Sequence, residues 1–198
     1  MFAKRIFDIL FSLVGLFFLL PIFIVISVLI IAESGGGVFY LQTRVGQFGN
    51  DFKLFKFRTM IADSDKKGLI TVGMRDSRIT KVGYFLRKYK LDELPQLINV
   101  LVGNMSFVGP RPEVRKYVEM YNAKQMFVLN AKPGITDYAS IEYSNENELL
   151  GNSENPNETY INVIMPAKLE LNLKYIKEQG LATDLKLIFK TISKIITH

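Results

Sequence analysis

The apolar stretch ILFSLVGLFFLLPIFIVISVLIIA, residues 9–32, decides the architecture because none of its 24 residues is charged. As an α-helix it would extend about 36 Å, at about 1.5 Å per residue. That length exceeds the roughly 30 Å hydrocarbon core of a bilayer. The stretch therefore predicts a membrane-associated helix. Its length, and the absence of an A-x-A-like cleavage site after it, argue against a signal peptide.

A proline inside the stretch makes its path through the membrane a separate question. Pro21 lacks an N–H and its ring clashes with the carbonyl of Phe17, so we expect a kink near Leu20-Pro21. Basic residues flank both ends: Lys4, Arg5, Arg44, Lys53, Lys56 and Arg58. Since basic flanks prefer the cytoplasm, a re-entrant helix that turns back at the proline satisfies both ends, whereas a simple span satisfies one. These residues alone leave both topologies open.

The rest of the chain predicts one α+β domain, mainly α, around a single core. We assign residues 1–34 to the membrane-associated helix and residues 35–198 to a cytoplasmic domain. Aromatic and β-branched residues at 38–46 and 51–60 predict a short β-hairpin. Residues 62–78 and the Asn/Glu-rich residues 144–158 are typical of loops.

The C-terminal tail from residue 181 predicts an amphipathic helix. Apolar residues line one of its faces: Leu185, Ile188, Phe189, Ile192, Ile195 and Ile196. Lysines recur beside that face at positions 186, 190 and 194. Such a helix can lie in the headgroup plane of a membrane, or it can pack on the domain with its lysines in water. The sequence favours neither alternative.

Composition restricts the chemistry available to the chain. Its 198 residues carry a formal net charge of +6, which points to an anionic partner such as a phosphorylated substrate, membrane headgroups or nucleic acid. The absence of cysteine excludes disulfides and thiolate nucleophiles. The single histidine, His198, is the last residue, so acid–base chemistry falls to carboxylates, lysines or tyrosines.

An acidic pair stands at the centre of the most basic segment, KYKLDELPQLINVLVGNMSFVGPRP, residues 88–112. From Arg78 to Lys116 inclusive there are eight basic residues, and Glu113 is the only acid besides Asp92 and Glu93. One interpretation is structural, with Asp92 as the N-cap of a helix that ends at Gly103.

The surplus of cations favours a second interpretation of the pair. An ionised carboxylate can serve as a nucleophile or a metal ligand. Arginines such as Arg87 and Arg111 suit phosphate groups. Because the chain offers oxygen ligands, Mg²⁺ is the expected metal, held by one or two carboxylates together with substrate phosphates.

Four motifs then resemble those of a known family. KRIFDIL, FKFRTM, LRKYKLDELPQLINVLVGNMSFVGPRP and KPGIT occur in this order between about Lys4 and Thr136. Together they resemble the bacterial sugar transferase family, the monotopic phosphoglycosyl transferases. The resemblance implies a membrane enzyme on the cytoplasmic face of the bacterial inner membrane, held by a re-entrant helix that breaks at a proline.

The resemblance also implies a reaction and its partners. Such enzymes move a sugar-1-phosphate from a UDP-sugar to undecaprenyl phosphate and release UMP first, by a ping-pong mechanism. This step initiates a capsule, O-antigen, exopolysaccharide or glycoprotein glycan, which downstream glycosyltransferases then extend. Membrane phospholipids are the expected surroundings, and nucleic acid is not an expected partner.

Residue roles carry over at the positions that match the motifs. Asp92 would be the nucleophile and Mg²⁺ ligand, and Glu93 its acid–base partner. Arg87 and Arg111 match basic positions at the substrate phosphates. Lys56 and Arg58 of FKFRTM are further phosphate-binding candidates, with an exposed strand face or headgroup contact as the alternative.

The chain departs from the family pattern at two places. Leu20 precedes the kink proline where the family often has serine, and DYASIEYSNEN follows KPGIT where the family often continues differently. The identity of the sugar is therefore not predicted. The competing function is a non-catalytic, membrane-tethered protein whose basic face binds anionic lipid or nucleic acid, for which the acidic pair would be a liability.

Overall fold

A computed structural model describes residues 2–61 and 76–196 of the protein. Most of the predicted loop at 62–78, and His198, lie outside the described residues. The helices are α1 Phe2–Ser34, α2 Lys81–Lys88, α3 Gln96–Val102, α4 Arg115–Val118, α5 Tyr138–Glu142, α6 Glu146–Gly151, α7 Pro156–Thr159, α8 Met165–Glu178 and α9 Leu181–Ile196. The strands are β1 Phe39–Val45, β2 Asp51–Phe57, β3 Ser106–Val108 and β4 Gly134–Thr136. The prediction of a mainly helical α+β fold is confirmed.

Helix α1 contains the whole apolar stretch. Within the described part of the chain it is the one helix long and apolar enough to cross a membrane. Its helical backbone continues without interruption through Leu20 and Pro21. Phe17 and Phe18, in the middle of α1, are strongly exposed. The re-entrant course of α1 stays a prediction.

The N-terminal end of α1 is fixed to the domain by its two basic residues. Lys4 forms an ion pair with Asp184 of α9. The Arg5 guanidinium donates to the carbonyls of Val100 and Leu101, at 2.6 and 2.7 Å. These carbonyls belong to the last turn of α3, where a cation complements the helix dipole. The KR pair thus docks α1 as well as supplying charge.

The C-terminal end of α1 is fixed to the same domain. The Glu33 carboxylate accepts from the backbone N–H groups of Lys81 and Val82, at 2.7 and 2.9 Å. It thereby satisfies free donors in the first turn of α2. Ile26 is buried in a cluster with Leu86 of α2. Both ends of α1 are therefore bound to one domain.

The predicted hairpin is confirmed as the antiparallel pair β1–β2, with Phe39 opposite Phe57 and Val45 opposite Asp51. The edge of β2 is covered by the side chain of Asn99 from α3. Its amide nitrogen donates to the Lys53 carbonyl at 2.7 Å, and its amide oxygen accepts from the Phe55 N–H at 2.9 Å. Since buried backbone groups need partners, Asn99 fixes the position of β2 against α3.

Two of the sequence motifs meet in a second, parallel sheet. Strand β3 of GNMSFVGPRP pairs with β4 of KPGIT. The chains approach so closely that a Cβ at Gly134 would lie 2.1 Å from the backbone nitrogen of Gly109. The two motifs therefore act as one structural unit, which places Arg111 directly after the sheet.

Two further predictions concern local structure. The sequence predicts Thr80 as the N-cap of a helix that runs to about Lys88, and this is confirmed, because Thr80 caps α2 by accepting from the Gly83 N–H at 2.9 Å. The predicted loop at 144–158 is wrong, because it contains α6 and α7. Leu150 is buried in the core and anchors α6, while Asn155 and Pro156 begin α7.

Helix α9 is attached along one edge and exposed along another. Leu187 and Asp184 are buried against the domain. Its large exposed apolar residues are Leu181, Leu185, Phe189, Ile192 and Ile195. Packing on the domain thus leaves most of the predicted apolar face uncovered.

Candidate active site

Asp92 and Glu93 lie in a 3-10 turn, Leu91–Glu93, between α2 and α3. The prediction that Asp92 caps the following helix is wrong, because α3 begins at Gln96. Lys90, before the turn, has a left-handed backbone with φ of 56°. Leu91 and Leu94 pack against the apolar cluster of α1 and α2. The turn therefore separates apolar side chains from the acidic pair. The predicted end of α3 at Gly103 is confirmed.

Glu93 is held by two cations. The Arg111 guanidinium donates to both carboxylate oxygens, with Nη1 lying 3.1 Å from Oε2. Lys56 Nζ donates to Oε1 at 3.2 Å. Burial alone would raise the pKa of Glu93, but Arg111 and Lys56 outweigh it and hold that pKa well below its usual range. Glu93 is therefore an ionised carboxylate in this arrangement.

Asp92 has the opposite electrostatic setting. It is 8 % exposed, and its carboxylate accepts no hydrogen bond from residues 2–61 or 76–196. Burial, and then the adjacent charge of Glu93, raise its pKa, while Lys56 and Arg87 oppose that shift. A buried carboxylate with uncommitted oxygens is suited to attack an electrophile or to bind a cation.

The remaining basic candidates separate into two groups. Arg87, at the end of α2, donates from Nε to the Thr59 hydroxyl at 2.9 Å and is close enough to lower the pKa of Asp92. The structure therefore brings Lys56, Arg87 and Arg111 around the acidic pair. Arg58 instead donates to Ser34 Oγ at 3.0 Å and to the Gly35 carbonyl, at the end of α1.

Comparison with known proteins identifies the family. The sequence model described as "Bacterial sugar transferase" matches residues 1–198. The chain belongs to the bacterial sugar transferase family. The resemblance predicted from the four motifs is thus confirmed over the whole chain.

Several proteins similar to this chain have names that describe their activity or role. A protein of Aeromonas hydrophila, named UDP-N-acetylgalactosamine-undecaprenyl-phosphate N-acetylgalactosaminephosphotransferase, is 37 % identical over 99 % of this chain and 44 % of its own length. An exopolysaccharide production protein of Rhizobium meliloti is 34 % identical, with 98 % of this chain and 85 % of the relative covered. The UDP-glucose:undecaprenyl-phosphate glucose-1-phosphate transferase of Escherichia coli is 36 % identical over 96 % of this chain.

The chain spans less than half the length of two of these relatives, 44 % of the Aeromonas protein and 39 % of the Escherichia coli protein. Two of the three are named as sugar-phosphate transferases, which agrees with the predicted class of enzyme.

Two buried residues support the site although they belong to none of the predicted site positions. Asp137 accepts from the backbone N–H of Arg111 at 3.2 Å and caps α5 by accepting from Ser140 at 2.6 Å. Asn99 fixes β2, the strand that carries Lys56. The available signals were a polar residue in an apolar helix and an aspartate directly after KPGIT.

Asp92 and Glu93 are also the residues that could hold a divalent metal. Among residues 2–61 and 76–196, no group of three or more histidine, aspartate or glutamate side chains is arranged as a metal site. Mg²⁺ does not require such a group, because it commonly binds one or two carboxylates and completes its shell with substrate phosphates and water. The uncommitted oxygens of Asp92 fit that mode of binding.

Proposed function

We propose that this chain is a membrane-bound phosphoglycosyl transferase that moves a sugar-1-phosphate from a UDP-sugar to undecaprenyl phosphate. The observation that carries the proposal is a buried, uncommitted Asp92 beside Glu93, within a group formed by Lys56, Arg87 and Arg111. The names of the relatives support the substrate classes. The product would initiate glycan assembly, and one relative's name refers to exopolysaccharide production.

The first half-reaction uses Asp92 as the nucleophile. One carboxylate oxygen attacks the sugar-bearing phosphorus of the UDP-sugar, and the bond from that phosphorus to the bridging oxygen breaks. UMP leaves with the bonding electron pair, and the sugar phosphate remains on Asp92 as an acyl phosphate. Attack by one anion on another requires charge neutralisation, which Arg87, Arg111 and Lys56 can supply. Mg²⁺ bound at Asp92 would add positive charge at the phosphates.

The second half-reaction transfers the sugar phosphate to the lipid. A phosphate oxygen of undecaprenyl phosphate attacks the same phosphorus, the bond to Asp92 breaks, and the lipid diphosphosugar leaves. Glu93 is the candidate proton acceptor for this step. While Arg111 and Lys56 bind it, its pKa is too low for that role. A substrate phosphate that engages these cations would raise the pKa of Glu93 and allow it to accept a proton.

The attachment of α1 supports a proposal for the position of the enzyme in the membrane. We propose that α1 enters the inner membrane and returns to the cytoplasmic face, with Pro21 near its deepest point. Ion pairing of Lys4 with Asp184, and capping of α2 by Glu33, hold both ends of α1 on one domain. The exposed apolar residues of α9, such as Phe189, would then rest at the same membrane surface.

Removal of the nucleophile tests the proposal. Wild type and Asp92→Asn are incubated with a panel of UDP-sugars and Mg²⁺, and UMP release is measured with and without undecaprenyl phosphate. We expect Asp92→Asn to lower UMP release by at least about a thousandfold, as is common for a covalent nucleophile. Intact-mass measurement of wild type without acceptor should detect a phosphosugar adduct that Asp92→Asn lacks. Unchanged turnover in the variant would refute the assignment of Asp92.

A further inference from the structure

An apolar groove lies between the membrane-associated helix and the domain, next to the acidic pair. Its volume is about 380 Å³. Every described residue that lines it is apolar: Pro21, Ile22, Val25, Ile26 and Leu29 of α1, Val82, Phe85 and Leu86 of α2, and Leu91 of the 3-10 turn. The acid–base mechanism above uses none of these side chains.

The groove has a buried floor and an accessible rim. Ile26 and Leu86 form the floor and are 5 % and 1 % exposed. Val25 and Phe85 stand at the rim and are 57 % and 54 % exposed. Because one wall is the apolar helix α1, the opening faces the region where lipid chains would surround the protein. An elongated hydrocarbon could therefore enter from the membrane without crossing water.

One end of the groove adjoins the reactive carboxylate. Leu91 lines the groove, and the next residue, Asp92, belongs to the acidic pair. Helix α2 shows the same change of character, since Leu86 lines the groove and Arg87 lies near Asp92. In two separate elements, a residue that lines the apolar groove is thus followed directly by a charged residue of the candidate phosphate site. The matching ligand has a phosphate attached directly to a hydrocarbon chain.

We infer that this groove binds the first isoprene units of the polyprenyl phosphate acceptor and directs its phosphate towards Asp92 and Arg87. The inference rests on the proposed function, which supplies the acceptor. A diacyl phospholipid fits less well, because a glycerol unit and a second chain separate its phosphate from each acyl chain. Leu91 and Asp92 are adjacent and belong to one short turn, which favours a phosphate joined directly to the hydrocarbon chain.

The experiment fills the groove and measures how activity depends on the length of the acceptor chain. Val25→Trp places a large side chain at the rim. Val28→Trp is the matched control, because Val28 is 60 % exposed on the same helix and does not line the groove. Prenyl phosphates from five carbons upward are tested as acceptors with full-length protein in nanodiscs. UMP release without acceptor is measured in parallel.

We expect kcat/KM of wild type and Val28→Trp to rise with chain length as successive units are buried. In Val25→Trp the rise should be reduced at least about tenfold, since two buried methylene groups already provide more than a tenfold gain in affinity. An equal chain-length dependence in all three proteins, with UMP release intact, would overturn the inference. Absence of UMP release from wild type with every UDP-sugar would instead overturn the proposed function.

Photolabelling tests the groove without relying on turnover. A polyprenyl phosphate with a diazirine on an early isoprene unit is expected to label α1 residues 21–29 or α2 in wild type and in Val28→Trp. Labelling should fall at least about fivefold in Val25→Trp, as expected when a site of modest apolar affinity is blocked. A diazirine phosphatidic acid should not show this difference. Equal labelling of all variants by the polyprenyl probe, or an equal loss with the phospholipid probe, would contradict a polyprenyl-specific groove.

Discussion

At the scale of single residues, two adjacent carboxylates have environments that shift their pKa values apart. Burial and the charge of Glu93 raise the pKa of Asp92. Arg111 and Lys56 overcome the effect of burial and lower the pKa of Glu93. Such divergence is typical of acid–base pairs in which each group has its own task. The neighbour of the proposed nucleophile thus acts on it through charge even before any proton moves.

Replacement of Glu93 by glutamine should move the acid limb of the pH–rate profile to lower pH. The first half-reaction needs ionised Asp92, which is lost as pH falls through its raised pKa. Glu93→Gln removes the like charge and frees Arg111 and Lys56, and both changes lower the pKa of Asp92. UMP release in a single turnover, measured from acid to neutral pH, reports the shift.

The exposed residue Glu119 provides the control for that profile, because the main charges that shift the pKa values of Asp92 and Glu93 come from other residues. Glu119→Gln should leave the acid limb of the pH–rate profile at the same pH as in wild type. An acid limb that moves to higher pH in Glu93→Gln would contradict the electrostatic coupling of the pair.

At the scale of secondary-structure elements, the position of Arg87 depends on how closely α2 approaches the chain after β2. The backbone carbonyl of Thr59 accepts from the Thr80 N–H at 3.0 Å, and the Thr59 hydroxyl accepts from Arg87. A Cβ at Gly83 would lie 2.0 Å from that same carbonyl oxygen. Glycine is therefore the residue that lets α2 dock.

Gly83→Ala should weaken donor binding by displacing α2 and, with it, Arg87. We expect KM for the UDP-sugar to rise about tenfold, the loss typical of one misplaced charge-assisted hydrogen bond. The unfolding temperature should also fall. Gly180→Ala is the matched control, because no atom of the described residues lies within 4 Å of a Cβ at that position. Wild-type KM and unfolding temperature in Gly83→Ala would show that α2 is not held by this contact.

Elements with a local signal were the ones that the sequence could predict. The hairpin, the Thr80 cap of α2 and the tail helix α9 each follow from residues near in sequence, and all are confirmed. The acidic pair and three of its four predicted cations were also found to lie together. The sequence did not predict the 3-10 turn at Asp92, because an aspartate three residues before a proline suits the start of a helix equally well.

Features that depend on contacts between distant segments had no local signal. Arg58 follows Lys56 by two residues, and the sequence does not distinguish the two. Because β2 stops at Phe57, the Arg58 guanidinium instead donates to Ser34. Asn99 reveals its role only when β2 lies beside α3. The identity of the sugar also has no local signal, since it depends on contacts that the sequence motifs do not describe.

At the scale of the whole molecule, a long apolar helix is joined to one domain at both ends. Arg5 and Glu33, near opposite ends of α1, each bind backbone groups of that domain. A helix that crossed the membrane once would carry its two ends to opposite sides. Contacts at both ends therefore favour entry and return on one side, which agrees with basic residues on both flanks.

Single cysteines test this topology directly, because the chain has no cysteine of its own. Ala3→Cys reports the first end of α1. Gly37→Cys reports the second, and it is preferable to Gly36, whose φ of +84° would strain a side chain. Asn152→Cys, exposed on the domain, reports the side of the membrane on which the domain lies. In intact cells a membrane-impermeant maleimide should label none of the three, whereas in inverted vesicles it should label all three. Labelling of Ala3→Cys and Gly37→Cys from opposite sides would establish a single span and exclude the re-entrant helix.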